Sequence, residues 1–382
     1  MLVKLKDICQ VVSGATPSTS NKSYYDGNIF WVTPKDLAGN GNNKYINDCE
    51  RKITSDGYNS CSTVMIPKKN ILISTRAPIG YIAINTMDCC TNQGFKSLIC
   101  DTTKVCVDYL YYLLKSRMRE IELLGSGTTF KEVSKTSIEN FEIQLPKLET
   151  QYKISTILSL IDNQISRNNA IVKRLQVLSQ AIFNRFFASE NNFVSLVDFP
   201  YIQIIKPGIK RFEGVKHYVA TAEVEGEKLN FDSPLIEYET RENRANMQPI
   251  KNSVWFAKLK KSIKHIYISN YDDYLINNYV FSTGFCGVKC DEIAFEYVIN
   301  YLNLPYFENL KDILSHGATQ EGINNEDLKL FKINLPTKED LVRFHKETKE
   351  IHKYISKITY TTYKLECLKK KILPLLINGQ LK

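Results

Sequence analysis

Two stretches of this 382-residue chain carry apolar residues on a three-and-four spacing that predicts very long helices. In the first, Ile161, Ile165, Val172, Leu175 and Ile182 form the stripe; in the second, Ile351, Ile355, Ile358, Leu365 and Ile372 do the same. Each stripe repeats every ~3.5 residues, as a coiled-coil seam does. Positions 150–187 contain neither proline nor glycine, and Glu149-Thr150 opens the run. Thr337, with Asp340 three residues later, is the expected cap of the second helix. About 37 residues span roughly 55 Å, which overhangs a domain of about 150 residues, so each stripe is the natural partner of the other. Asn168, Ser179 and Thr362 interrupt the stripes and are expected to weaken the seam or fix its register. His345 and His352 share one face of the second helix and are expected to face solvent.

Elsewhere the apolar runs are short. "NILIS" (70–74) and "GYIAI" (80–84) predict strands around an Ala77-Pro78-Ile79-Gly80 turn, and "YIQII" (201–205) and "HIYIS" (265–269) predict two more. Shorter helices are expected over 107–117 and 291–302. The tyrosines of "DYLYYLL" (108–114) read as packing residues rather than a base-stacking platform.

The chain repeats itself. "GTTFKEVSKTSIENFEIQLP" (127–146) returns as "GATQEGINNEDLKLFKINLP" (317–336), with Gly127/Gly317, Thr129/Thr319, Phe141/Phe331, Ile143/Ile333, Leu145/Leu335 and Pro146/Pro336 identical. Gly94-Phe95 and Gly284-Phe285 keep the same offset of 190, as do Ile161/Ile351, Ile165/Ile355, Leu175/Leu365 and Leu178/Leu368. "VKLKDI" (3–8) resembles "VSLVDF" (194–199). A repeat this long is a duplicated domain rather than a solenoid unit. The expected fold is α+β: two mostly-β domains joined by two long antiparallel coiled-coil helices, as a pseudo-two-fold internal repeat. The boundaries read as 1–148, first domain; 149–189, central helix; 190–337, second domain; and 338–382, C-terminal helix. Antiparallel pairing would place the domains at opposite ends of a fixed rod.

Charge changes the picture modestly. A formal net charge of +9 permits nucleic-acid binding without establishing it. No apolar run approaches the roughly 18–20 residues a membrane helix needs, and "MLVKLKDICQ" lacks the core of a signal peptide, so no membrane partner and a cytoplasmic location are expected. Ten cysteines without a C-x-x-C pair read as reduced packing or surface thiols. The five histidines form no metal spacing. Strings that invite an enzymatic reading fail on inspection. "DFPY" (198–201) has one proline where an adenine methyltransferase has two, and Asp198 matches Asp7 in the duplicated stretch. Glu50-x-Lys52 lacks the second acid of a nuclease. "GNGNNK" (39–44) and "GSGTTF" (125–130) lack the Gly-Lys-Ser/Thr of a phosphate loop. No catalytic residue, metal site or cofactor of this chain is expected.

"NIFWVTPKDL" (28–37), "NILISTRAPIGYIAI" (70–84), "TNQGFKSLI" (91–99) and "ENFEIQLPKLETQYKISTILSLIDNQI" (139–165) together resemble the specificity subunit of type I restriction–modification systems. "VWFAKLKKS" (254–262), "STGFCGV" (282–288) and the second copy of the Leu-Pro stretch resemble a different version of the same target-recognition domain. The resemblance covers nearly the whole chain. It implies two domains that each read half of a bipartite duplex target, and helices that separate them and dock two methyltransferase subunits. Two restriction/translocase subunits would join that core. S-adenosylmethionine would belong to the methyltransferase partner and ATP with Mg to the restriction partner. The first helix reads "LPKLETQ" where the family has a second proline and an acidic-Gln step, and "LPTKEDLVRF" lacks the Gln. The second domain has "HYVATAEVEG" (217–226) in place of "FWVTPKDL". Different domains imply an asymmetric target. The alternative is a duplicated coiled-coil interaction scaffold without a DNA role, which salt-dependent duplex binding would separate from the first reading.

Phosphate contacts position a DNA reader and base-edge contacts specify sequence, so polar loops beside positive charge are the candidates. In the first domain these are Ser20, Asn21, Lys22, Lys35, Asn42, Asn43, Lys44, Arg76, Asn92, Gln93, Thr128, Thr129 and Lys131. Arg76 could fork onto a guanine, and Asn92 and Gln93 carry the amide that suits adenine. In the second they are Lys210, Arg211, Lys216, Arg241, Arg244, Lys258, Lys260, Lys261, Thr319 and Gln320. "KLKKSIK" (258–264) holds four lysines and no acid. Lys369–Lys371 are placed near the C-terminal end of the last helix, where cations suit the dipole.

Overall fold

A computed structural model describes residues 1–41, 43–76, 78–126, 131–188, 192–230, 233–317 and 321–380. Its internal contacts gather in two units, Met1–Asn163 with Cys367–Lys382, and Gln164–Glu366. In the first, strand Cys9–Ser13 pairs antiparallel with Lys96–Cys100, which pairs with Ile71–Thr75, which pairs with Ile79–Asn85. Isoleucines at 71, 73, 79, 82 and 84 suit this pleated, half-buried surface. The expected helix forms over Val107–Ser116, and its Tyr109, Tyr111 and Tyr112 are buried, packing against Ile71, Ile73 and Leu98.

The second unit repeats the plan. Strand Ile202–Ile204 pairs with Phe285–Cys290, which pairs with Ser253–Ala257, which pairs with His265–Ile268, all antiparallel. A smaller sheet recurs too: Tyr25–Val32 runs parallel to Cys89–Thr91, and Val215–Val219 runs parallel to Tyr279–Ser282. Phe30-Trp31-Val32 lie opposite Cys89-Cys90-Thr91 as His217-Tyr218-Val219 lie opposite Tyr279-Val280-Phe281. "HYV" therefore occupies the place of "FWV". Trp255 sits elsewhere, in the strand equivalent to Ile71–Thr75. The region expected to be one helix over 291–302 is a single 3-10 turn, Glu292–Ala294, followed by a helix over Phe295–Leu302.

The duplicated Leu-Pro stretch ends each unit's β-region in the same way. Strand Leu2–Lys4 pairs with Glu142–Gln144, and Phe193–Ser195 with Lys332–Asn334. The N–H of Leu5 donates to the carbonyl of Phe141, and that of Leu196 to Phe331. The helices follow at once, over Leu148–Phe187 and Lys338–Ile377, 40 residues each. Thr337 caps the second as expected: its Oγ1 accepts the Asp340 N–H at 3.1 Å and donates to the Asp340 carboxylate at 2.6 Å.

Within the second unit the helices pair antiparallel. Asn168 Nδ2 donates to Thr362 Oγ1 at 3.0 Å, Ser179 Oγ lies 2.9 Å from His352 Nε2, and Arg185 meets Glu347 at 2.5 Å. Within the first unit Lys369 Nζ lies 2.5 Å from Asp162 Oδ1. The expected apolar stripe is half-buried in most places: Ile161, Ile165, Val172, Leu175, Ile182, Ile351, Ile355, Leu365 and Ile372 are intermediate, and Ile358 is buried. Asn168, Ser179, His352 and Thr362 are more deeply enclosed. This corrects the expectation for the two histidines. His352 is buried at the seam, where desolvation pushes its imidazole down to about 4. His345 is tied to Glu296 at 2.8 Å, and that hydrogen bond raises its pKa. Lys369 is engaged by Asp162 rather than the helix dipole, because the helix continues through Pro374 to Ile377 and its last turn holds no cation.

The helix ends join the cores. Ile154 and Leu158 pack in the first unit's core together with Leu376. Phe183, Phe187, Leu341 and Phe344 pack in the second unit's core around Tyr297 and Phe331. Among the described residues no helix is long and apolar enough to cross a membrane.

Candidate nucleic-acid interface

In each unit a glycine anchors a platform where loops meet. The Gly94 carbonyl of the first unit accepts the Thr75 N–H at 2.7 Å, and Val133 N–H bonds the Thr75 carbonyl at 3.0 Å. Gly284 of the second unit accepts from Lys258 N–H at 3.0 Å, and Ile323 N–H bonds the Lys258 carbonyl at 3.0 Å. Asn92 Oδ1 accepts the Gly94 N–H at 3.0 Å, and Ser282 Oγ accepts the Gly284 N–H at 3.1 Å. The bridges Ser126 to Glu132 and His316 to Gly322 also match at an offset of 190.

A side chain at either glycine would be crowded. A Cβ on Gly94 would lie 3.1 Å from both Asn92 Oδ1 and Pro34 Cγ; one on Gly284 would lie 3.1 Å from Thr221 Cγ2 and from Arg244 Nη2. Pro34 and Thr221 thus hold equivalent places. Around them the surroundings differ: the Arg244 side chain lies beside Gly284, and the Arg76 carbonyl beside Gly94.

The first platform brings together several of the expected residues. Arg76 bridges to Glu132 by its backbone, next to exposed Lys131. Gln93 is exposed and takes a hydrogen bond from Thr16, which the sequence did not single out. Gly14 passes so close to the carbonyls of Thr91 and Asn92 that only glycine fits. Lys35, next to Pro34, pairs with Glu50 at 2.6 Å, and that hydrogen bond holds its ammonium above the usual range. Exposed pairs of this kind are held weakly and can exchange for phosphate.

Other candidates are engaged elsewhere. Asn21 caps the turn Lys22–Tyr24 by accepting from Ser23 N–H at 3.1 Å, beside exposed Ser20 and Lys22. Asn43 is exposed. Lys44 is buried, its ammonium 2.5 Å from Asp108 and 2.8 Å from Ser159 Oγ. A buried cation needs such partners, so Lys44 belongs to the junction of domain and helix rather than the loop surface. Ala77, Asn42, Thr128, Thr129, Thr319 and Gln320 lie outside the described residues.

In the second unit, Lys264 Nζ donates to the Thr221 carbonyl at 2.6 Å, and Thr283 N–H donates to the Arg244 carbonyl at 2.9 Å. Lys258, Lys264 and Arg244 therefore gather around Gly284. Lys260 pairs with Glu321, and Lys261 is exposed. Arg211, Lys216 and Arg241 form a separate group around Phe212 and Tyr238, near exposed Lys210. Arg211 meets Glu239 at 2.7 Å, and partial burial lowers the Lys216 pKa. Among the described residues no group of three His, Cys, Asp or Glu side chains could hold a metal, and all ten cysteines are free thiols.

Residues 1–177 match the family model described as the type I restriction modification DNA specificity domain. The specificity subunit of type I restriction enzyme MjaIX of Methanocaldococcus jannaschii is 40% identical over 186 residues, covering 48% of this chain and 43% of that protein. The HindI specificity subunit of Haemophilus influenzae is 28% identical over 190 residues, covering 49% of this chain and 40% of that one. The aligned stretches thus span less than half of these relatives. A crystal structure of the type I restriction–modification S subunit from M. genitalium superposes with a TM-score of 0.58 at 14% identity, covering 98% of this chain and 95% of that chain. That likeness extends the shared fold beyond the first half. Residues 1–177 are thus similar to the type I restriction modification DNA specificity domain, and the chain shares its fold with the M. genitalium S subunit.

Proposed function

We propose that this chain is the non-catalytic, sequence-reading subunit of a type I restriction–modification complex. Each platform reads one half of an asymmetric bipartite target in duplex DNA, and the paired helices set the gap between the halves. The observation that carries this reading is one backbone platform used twice, with Asn92, Gln93 and Arg76 around Gly94 but Ser282, Thr283 and Arg244 around Gly284. A conserved scaffold with changed side chains is what two readers of different sequences require, since phosphate contacts position and base contacts specify.

The helices also support docking of partner subunits. Leu178 and Leu368 are identical at an offset of 190, and both are exposed, 48% and 46%. Apolar residues kept at equivalent exposed sites suit two copies of the same partner. On this reading those partners are two methyltransferase subunits, which would carry S-adenosylmethionine. Two restriction subunits with ATP and Mg would complete a nuclease form.

The test is a map of methylated adenines in the native cell, with and without the gene. Loss of one asymmetric two-part motif with a fixed gap is expected. An unchanged map, together with no salt-dependent binding of the purified chain to duplex, would overturn the reading.

A further inference from the structure

The two hairpin tips differ in length, and the helix beneath each differs with them. In the first unit, positions 76–78 join strands Ile71–Thr75 and Ile79–Asn85; in the second, positions 258–264 join Ser253–Ala257 and His265–Ile268. The helix below the short tip is Met118–Leu123, 6 residues, and that below the long tip is Pro305–Leu314, 10 residues. Both present an acid upward at the same place in the repeat. A Cβ on Gly80 would collide with the Glu122 carboxylate, and Asp312, which stands 190 positions after Glu122, accepts the Lys261 N–H at 2.8 Å.

The longer loop is held at a second point. Lys311 is fully buried, its Nζ 2.6 Å from Glu308 Oε2 and donating to the Ser262 carbonyl at 2.8 Å. Glu308 in turn meets His265 Nε2 at 3.0 Å, at the start of the returning strand. Lys261 has φ 53°, a left-handed conformation that a lysine rarely adopts unless its surroundings impose it. Two adjacent helix residues therefore grip two adjacent loop residues, Lys311 to Ser262 and Asp312 to Lys261.

We infer that helix Pro305–Leu314 is a brace that fixes the 258–264 loop in the shape that reads the second half-site, with Asp312 and Lys311 as its positioning residues. This rests on the DNA-reading role proposed above. A loop that reads bases must be held within a fraction of an ångström of its working geometry, and ordering it in advance removes an entropic penalty from binding. Phosphate attraction is less demanding. The attraction of Lys258, Lys260, Lys261 and Lys264 to phosphate does not require one loop shape.

That difference supplies the test. The full-length chain and its Asp312→Ala, Asp312→Asn and Lys311→Met variants are allowed to select from duplexes randomised at both half-sites, and binding is titrated against salt. In Asp312→Ala and Lys311→Met, discrimination at the second half-site should fall about tenfold or more. First-half-site preference and salt slope should stay as in the parent. Asp312→Asn, which can still accept the Lys261 N–H, should restore discrimination. Unchanged discrimination in both disrupted variants would overturn the brace. So would parallel loss at both half-sites with a lowered melting temperature, which would make these residues structural only. A parent chain that selects no sequence would instead remove the DNA-reading role itself.

Discussion

His352 offers a stability prediction whose size follows from its surroundings. The imidazole is 8% exposed, bonded to Ser179 Oγ at 2.9 Å, and burial pushes its pKa down from 6.5 to about 4. The folded value lies below the unfolded one. Below pH 6.5 the unfolded chain therefore takes up a proton that the folded chain refuses. Stability from this group is complete above about 6.5 and is lost as pH falls toward about 4. At pH 5, about 1.5 units below the free imidazole, the loss comes to about 2 kcal/mol. Other groups titrate nearby with the opposite sign. Glu296 raises His345, and burial raises Asp272 and Glu227, all of which favour the folded state in acid. The comparison must therefore be between the parent and His352→Gln, in which only this titration disappears. The chain has two tryptophans, and Trp255, buried in the second unit, reports there once Trp31 is replaced by Phe. Urea unfolding at pH 7.5 and pH 5 should show the parent losing about 2 kcal/mol more than His352→Gln. Equal losses would refute a buried neutral imidazole at the seam.

The same fluorescence assay tests the neighbouring polar pair. Asn168→Ala should destabilise by about 1–3 kcal/mol, because it leaves the Thr362 hydroxyl buried without its partner. Asn168→Leu combined with Thr362→Val should recover that loss, since an apolar pair leaves nothing unsatisfied. Gly14→Ala should lower the unfolding midpoint read by Trp31 while leaving that of Trp255 unchanged, because its Cβ would collide with the Thr91 and Asn92 carbonyls. Arg76→Ala should relax one base position of the first half-site at a loss of about 1–3 kcal/mol, measured by selection from randomised duplex.

The long helices and the duplication were legible in the sequence for physical reasons. A run without proline or glycine and an apolar period near 3.5 admit few other structures, and an offset of 190 held from Gly94 to Leu368. The seam's interior was not legible. Apolar periodicity treats Asn168, Ser179 and Thr362 as interruptions and turns His352 to solvent, yet in pairs across the seam they are buried where most of the apolar stripe is only half-buried. The same blindness to distant partners affected Lys44, whose burial depends on Asp108 and Ser159, far along the chain. Pro374 reads as a helix stop but lies inside Lys338–Ile377, near enough to its end that one lost hydrogen bond ends little. The hairpin brace was hidden because the second unit's loop is longer than the first's. Equivalent strands there no longer stand 190 apart: Thr75 corresponds to Lys258.

The buried polar pairs make the seam discontinuous. If the C-terminal helix slid by one heptad, Asn168 would face Ile355 or Lys369 in place of Thr362, and Ser179 would lose His352. Intermediate positions would leave the same groups without partners, so the helices have one register rather than a range. An insertion in either helix between these pairs would break them unless the other helix gained the same number of residues. Whatever length the helices measure can therefore change only in whole, matched steps, through coupled changes at two places far apart in the gene.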